Sequence, residues 1–159
     1  MGSVNPNALM VAFLLAFPIG TLVEYILHRF VLHSRRRTRI THRHRMHHKC
    51  NEADTLWGDF RDFSLGMVPF CWFGFVHSVS AGVGFFLGGV AYVFLLASVH
   101  KLSHERPGLI FWMSRNSHVL HHGDTPRCNF GIVTRFWDVV FGTYADQRPL
   151  RGSHAGGSK

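Results

Sequence analysis

The chain has 159 residues, of which 47% are hydrophobic and 16% charged, with 13 histidines, a net charge of +8 and an isoelectric point near 10.3. The length suits one domain, and the basic balance by itself invites nucleic acid or an anionic surface. The distribution argues against nucleic acid, because no Lys or Arg precedes Arg29 and none falls between Arg61 and Lys101.

In chain order, residues 1–23 carry no charge and predict a helix over about 8–33. That helix would be ~39 Å long at ~1.5 Å per residue, more than the ~30 Å hydrocarbon layer of a bilayer. It lacks a basic leading region, so it is not read as a secretory signal. A basic segment follows, with Arg35, Arg36, Arg37, Arg39, Arg43, Arg45 and Lys49. The stretch 54–60 mixes acidic and aromatic residues as an interfacial segment would. Residues 63–99 again carry no formal charge and are long enough for two crossings. They predict a hairpin of helices over 63–80 and 83–104, turning near Gly82 and Gly84, with Gly84 and Gly88 as a small-x-x-x-small packing face.

These features predict an all-α fold: an integral membrane helical bundle of about three transmembrane helices with a cytosolic, histidine-rich helical cap. One domain is expected over 1–147, followed by a disordered tail over 148–159. Three crossings would gather every basic cluster on one side, which the positive-inside rule makes cytosolic, and leave the N-terminus opposite. The membrane is expected to be a bacterial inner membrane or the endoplasmic reticulum. Cys50, Cys71 and Cys128 have no metal-type spacing and an odd count, so reduced thiols are expected.

Ten histidines fall in four clusters: His28 and His33; His44, His47 and His48; His100 and His104; His118, His121 and His122. Neutral imidazole is the commonest metal ligand. Ten suit two ions with about five ligands each, given the usual ~4–6 coordination. On a regular helix His100 and His104 share a face, and each H-x-x-H-H triplet presents three rings within one arc. His28 and His33, five apart, point about 140° apart, so either a π-bulge intervenes or each ring serves a different metal; the second reading is preferred. His42, His77 and His154 are expected to be structural or solvated. Carboxylates available to orient ligand rings are Glu24, Asp59, Asp62, Asp124 and Glu105.

The order H-x4-H, H-x2-H-H, H-x3-H, H-x2-H-H resembles the fatty acid hydroxylase/sterol desaturase superfamily of integral-membrane diiron oxygenases. The stretch CNFGIVTRFWDVVFGTY over 128–144 is similar to the segment that follows the last cluster in that family. The resemblance implies that the ten clustered histidines ligate two iron ions, with zinc as a substitute acquired on purification. It implies no catalytic residue beyond those ligands. It also implies hydroxylation of a lipid C–H bond, fatty-acyl or sphingolipid-like, using O2 and two electrons. No fused cytochrome b5 module is evident, so the electrons would come from a separate donor such as cytochrome b5 or a ferredoxin with its reductase. The alternatives are a carotenoid ring hydroxylase or lipid desaturase of the same superfamily, and a zinc-binding membrane protein without oxygenase activity. A zinc hydrolase is disfavoured, since no H-E-x-x-H pattern occurs.

Overall fold

The computed structural model describes residues 4–52, 54–114, 117–123 and 127–146. Asp124, His154 and the expected tail over 148–159 lie outside the described residues. The elements are α1 (Pro6–Ile26), continued by a π-helical turn (Leu27–Leu32), then α2 (Arg39–Cys50), α3 (Leu56–Cys71), α4 (Phe73–His77), α5 (Val79–Glu105), α6 (Ser117–His121) and α7 (Phe136–Val140). All are helical, as the sequence predicts.

Side-chain caps set the starts of the long helices. The Asn5 side chain accepts from the Asn7 and Ala8 N–H groups, with Pro6 in the first turn, where its missing N–H costs nothing. Ser78 is extended and caps α5 by accepting from Ala81 N at 3.1 Å. The Asn5 N–H in turn donates to Ser80 Oγ at 2.9 Å, so α1 and α5 start side by side and run parallel.

Close packing fixes their register. A Cβ on Gly84 would lie 2.1 Å from Leu9 O, and one on Gly88 would lie 2.4 Å from Phe13 O. Only glycine at these two positions lets the backbones of α1 and α5 approach this far, so the small-residue face expected from sequence is a helix–helix contact. Below it, Val23, Met67, Tyr92, Val93, Leu96, Val99, Ile110 and Ile132 form the main buried apolar cluster.

Two helical segments of 27 residues, Pro6–Leu32 and Val79–Glu105, are long and apolar enough to cross a membrane. The third expected crossing is divided between α3 and α4, separated at Trp72, so no continuous helix there reaches spanning length. Pro69, which cannot donate to the helical ladder and crowds the preceding turn, lies three residues before this break. The two pieces run antiparallel to α5: the Phe63 ring sits 5.5 Å from that of His100, and Gly74 abuts Ala81 O.

The hairpin turn falls at Ser78, not at Gly82 and Gly84. Serine supplies the acceptor that a helix start needs, and both glycines are buried inside α5 at its packing faces. Gly84→Leu should therefore cost about 1–3 kcal/mol through overpacking against backbone. We expect it to lower the thermal midpoint of the detergent-solubilised protein by several degrees, while Val90→Leu on the exposed side of α5 leaves it unchanged.

Candidate metal centre

The parallel register of α1 and α5 brings their histidine-bearing ends to one level, and α2 and α6 cross over those ends. All ten clustered histidines meet there. The ring nitrogens of His28, His33, His44, His48 and His121 contribute five ligand atoms within 4.8 Å of one another. His47, His104, His118 and His122 form a second group of the same kind. His100 joins the second group, its Nε2 lying 3.1 Å from His47 Nε2. His42 is exposed on the opposite face of α2, and His77 ends α4 at the far end of the bundle; neither enters a group.

Two expectations about helix phase are corrected. His28 and His33 do not divide between two sites; both belong to the first group, with ring centroids 5.2 Å apart. The π-helical turn is the reason, with His33 N donating to His28 O, five residues back, at 3.3 Å. In that winding, residues five apart stand about one turn apart, as residues four apart do in an α-helix. The triplets do not converge either. His44 and His48 face the first group and His47 the second; His118 and His122 face the second and His121 the first.

The protonation pattern suits cations. His28 Nδ1 donates to Phe130 O (2.6 Å), His121 Nδ1 to Cys128 O (2.7 Å) and His47 Nδ1 to Glu52 O (2.9 Å). His100 Nδ1 donates to Asp59 Oδ2 at 2.7 Å. In a neutral imidazole each of these bonds leaves Nε2 as a lone pair. His47 and His100 turn their Nε2 atoms towards one another at 3.1 Å. Two nitrogens bound about 2.1 Å from one ion and about 90° apart would be separated by about 3.0 Å. The His33–His44 (3.0 Å), His33–His121 (3.1 Å) and His44–His48 (3.1 Å) Nε2 pairs have the same spacing. His28 Nε2 and both ring nitrogens of His122 are buried with no hydrogen-bond partner among the described residues. These residues fit metal ions.

Burial disfavours the charged form of His33, and burial reinforced by neighbouring imidazoles that of His44, His47, His48, His118, His121 and His122. Burial pushes His33 down to about 4; burial and then the adjacent His100 push His47 to about 4; burial and then His33 push His48 to about 3. His44, His118, His121 and His122 lie lower still, again chiefly through burial. At neutral pH all of these are lone-pair donors.

Of the carboxylates expected to orient ligand rings, Asp59 is the one among the described residues that does so directly. Glu24 is buried but makes no hydrogen bond to His28; it accepts from Tyr92 Oη and Ile132 N. Asp62 pairs with Arg43 and Arg61, and Glu105 with Lys101. The ring acceptors that the sequence did not reveal are backbone carbonyls, above all those of Cys128 and Phe130. Their loop is anchored at one end by Glu24 and at the other by buried Asp138, which accepts from Phe130 N and Gly131 N at 2.8 Å each and from Thr143 Oγ1 at 2.7 Å. A lone Asp within the apolar 136–141 stretch was the available signal for this role.

A cavity of about 180 Å³ opens beside the histidines between α1, α3 and α5. Its inner wall carries His28, His44, His47, His100, His118 and His122, and its outer wall Leu27, Val31, Phe63, Gly66, Met67 and Ile132. Arg43, Asp54 and Asp62 stand at its rim, with Arg43 paired to Asp54 at 2.8 Å and to Asp62 at 3.1 Å.

Fold and site together define a helical membrane bundle capped by a histidine-rich candidate metal centre. The fatty acid hydroxylase family matches residues 13–143, and the chain belongs to that family. It is 30% identical over 135 residues to a dihydroceramide fatty acyl 2-hydroxylase of Arabidopsis thaliana, covering 79% of this chain and 56% of that protein. It is 28% identical over 144 residues to a fatty acid 2-hydroxylase of Rattus norvegicus, covering 82% of this chain and 38% of that one. The chain therefore spans about half or less of the length of these relatives. The solved structure of full-length scs7p, in which only the hydroxylase domain is visible, has the same fold, with a TM-score of 0.66 at 22% identity, covering 92% of this chain and 60% of that one.

The loop anchor can be tested separately from the ligands. Asp138→Ala should release the carbonyls that orient His28 and His121 and weaken metal binding at the first group about 10–100-fold. We expect metal-loaded protein, once dialysed, to lose metal from the first group while the group oriented by Asp59 retains what it binds, read by elemental analysis.

Proposed function

We propose that the protein is an O2-dependent diiron hydroxylase of a lipid acyl chain, with His28, His33, His44, His48 and His121 holding one ion and His47, His100, His104, His118 and His122 the other. The observation that carries this reading is the pair of imidazole groups set side by side along one wall of a cavity whose other wall carries Leu27, Val31, Phe63, Met67 and Ile132. Family membership supports a lipid substrate and an oxidoreductase; the two curated relatives are named for acyl 2-hydroxylation.

When bound, the two irons would supply the redox chemistry that activates O2. The chain's part is positional. Asp59 and the carbonyls of Glu52, Cys128 and Phe130 fix the ring orientations of His100, His47, His121 and His28. Leu27, Phe63, Met67 and Ile132 give an acyl chain a dry wall facing those rings, and Arg43, Asp54 and Asp62 offer polar groups at the mouth for a headgroup. Electrons would come from a separate one-electron donor such as cytochrome b5 or a ferredoxin. Arg29, Arg35–Arg37, Lys101 and Arg106 lie at the histidine end and no Lys or Arg lies among residues 62–100, which supports a cytosolic centre under the positive-inside rule.

In cells expressing the protein under aerobic, iron-replete conditions, lipid mass spectrometry should find an acyl product heavier by one oxygen. His47→Ala and His121→Ala should each abolish it while membrane insertion persists. A product two hydrogens lighter would identify a desaturase and an oxygenated carotenoid a ring hydroxylase; no product would count against an oxygenase.

Gly66 supplies a test of the cavity. A Cβ there would meet Leu27 Cδ1 at 3.0 Å. Gly66→Phe should fill the slot, lowering turnover at least tenfold with metal content unchanged; full activity would place the acyl chain elsewhere.

A further inference from the structure

Helix α2 carries ligand-type histidines on one side and a basic face on the other. His44 and His48 meet His28 and His33 at the end of α1, and His47 meets His100 and His104 at the end of α5. The helix thus lies across both helix ends with its histidines turned towards them. At about 100° per residue, Arg39, His42, Arg45, Met46 and Lys49 fall on the opposite side, turned away from the bundle. Arg39, His42 and Lys49 are exposed, and so is Met46, at 42%. Arg37, Thr38, Arg39, His42 and Arg45 line a shallow open hollow there. Among the described residues, Arg39, Arg45 and Lys49 take part in no ion pair, whereas Arg43, on the flank facing α3, is neutralised by Asp54 and Asp62.

We infer that this face of α2 is the docking surface for an acidic one-electron carrier protein. The inference rests on the hydroxylase reading, in which R–H + O2 + 2 e⁻ + 2 H⁺ gives R–OH + H2O and two electrons must reach the histidine groups from another redox centre. An exposed methionine ringed by unpaired cations has the composition of a protein-docking patch, in which Met and Arg are enriched. Its charge suits a carrier with carboxylates around its redox centre, since complementary fields steer encounter. Only the width of one helix, ~10 Å, separates the face from both histidine groups. Because the face is turned away from the bundle, a soluble partner suits it better than lipid headgroups.

The test uses the iron-loaded protein in nanodiscs of neutral phosphatidylcholine and, separately, of discs containing anionic phosphatidylserine. The probes are the soluble haem domain of cytochrome b5 and a [2Fe–2S] ferredoxin, with dithionite as a small reductant that needs no docking. Arg39→Glu combined with Arg45→Glu should weaken binding of the acidic carriers and slow carrier-driven turnover about tenfold or more at low salt. The loss should shrink as ionic strength rises, and dithionite-driven turnover and metal content should stay at the wild-type level. Arg39→Gln with Arg45→Gln should fall between. Unchanged carrier binding would overturn the inference, as would an equal loss with dithionite. An effect confined to anionic discs would assign the face to lipid instead. Should wild type fail to hydroxylate with dithionite, the proposed reaction falls, and carrier binding still decides whether this face docks acidic proteins.

Discussion

Two parallel helices must end at the same level before histidines from both can face one another, and the backbone contact between α1 and α5 sets that level. Gly84 against Leu9 O and Gly88 against Phe13 O hold the two helices in a single register. A slip of one turn along this contact would displace His28 from His100 by ~5.4 Å, more than the 4.8 Å within which each group's ligand atoms lie. The paired helix starts, where Asn5 bonds to Ser80, repeat the constraint at the other end. Everything above the bundle, including the crossings of α2 and α6, depends on this alignment.

The histidines obey an approximate two-fold pattern that follows from it. Each group takes a pair from the end of one long helix, an i,i+4 pair from one triplet and the middle histidine of the other triplet. On α5 the pair is H-x3-H on a regular helix; on α1 it is H-x4-H on a π-helical turn. The one-residue difference in spacing is absorbed by the one-residue difference in hydrogen-bond span, so both helices aim two rings at one place.

Much of this was legible in the sequence: the long apolar helices, the small-residue face, the set of ten histidines and the exclusion of His42 and His77. Legibility failed wherever a regular α-helix was assumed. The 140° divergence of His28 and His33 is correct for an α-helix and irrelevant to a π-turn. The ~100° arc of each triplet reads as convergence on one target, yet with two groups side by side the same arc is wide enough to straddle both. Glu24 looked like a partner for His28, one turn away. It instead grips Ile132 N, more than a hundred residues distant, and no spacing rule announces a contact of that range. The carbonyls of Cys128 and Phe130 were invisible for a simpler reason, because every residue has a carbonyl and only the fold selects which ones face a ring.

The two-fold pattern of ligands does not extend to what holds them. In the first group, His28 and His121 donate to carbonyls of one loop, which is tied to α1 by Glu24 and to α7 by Asp138. In the second, His100 donates to the Asp59 carboxylate and His47 to the carbonyl of Glu52, just past the end of α2. A carboxylate acceptor makes an imidazole a stronger electron donor than a carbonyl does, so the groups are unequal as donor sets despite their matched geometry. Their supports differ in sequence locality as well. Asp59 sits on α3, which also forms the cavity wall through Phe63, Gly66 and Met67. One helix therefore both tunes the second group and shapes the apolar slot beside it, whereas the first group is steadied by the C-terminal loop. Changes in α3 that alter the slot must act on a helix whose position also orients His100, which couples the size of the cavity to the geometry of one half of the centre.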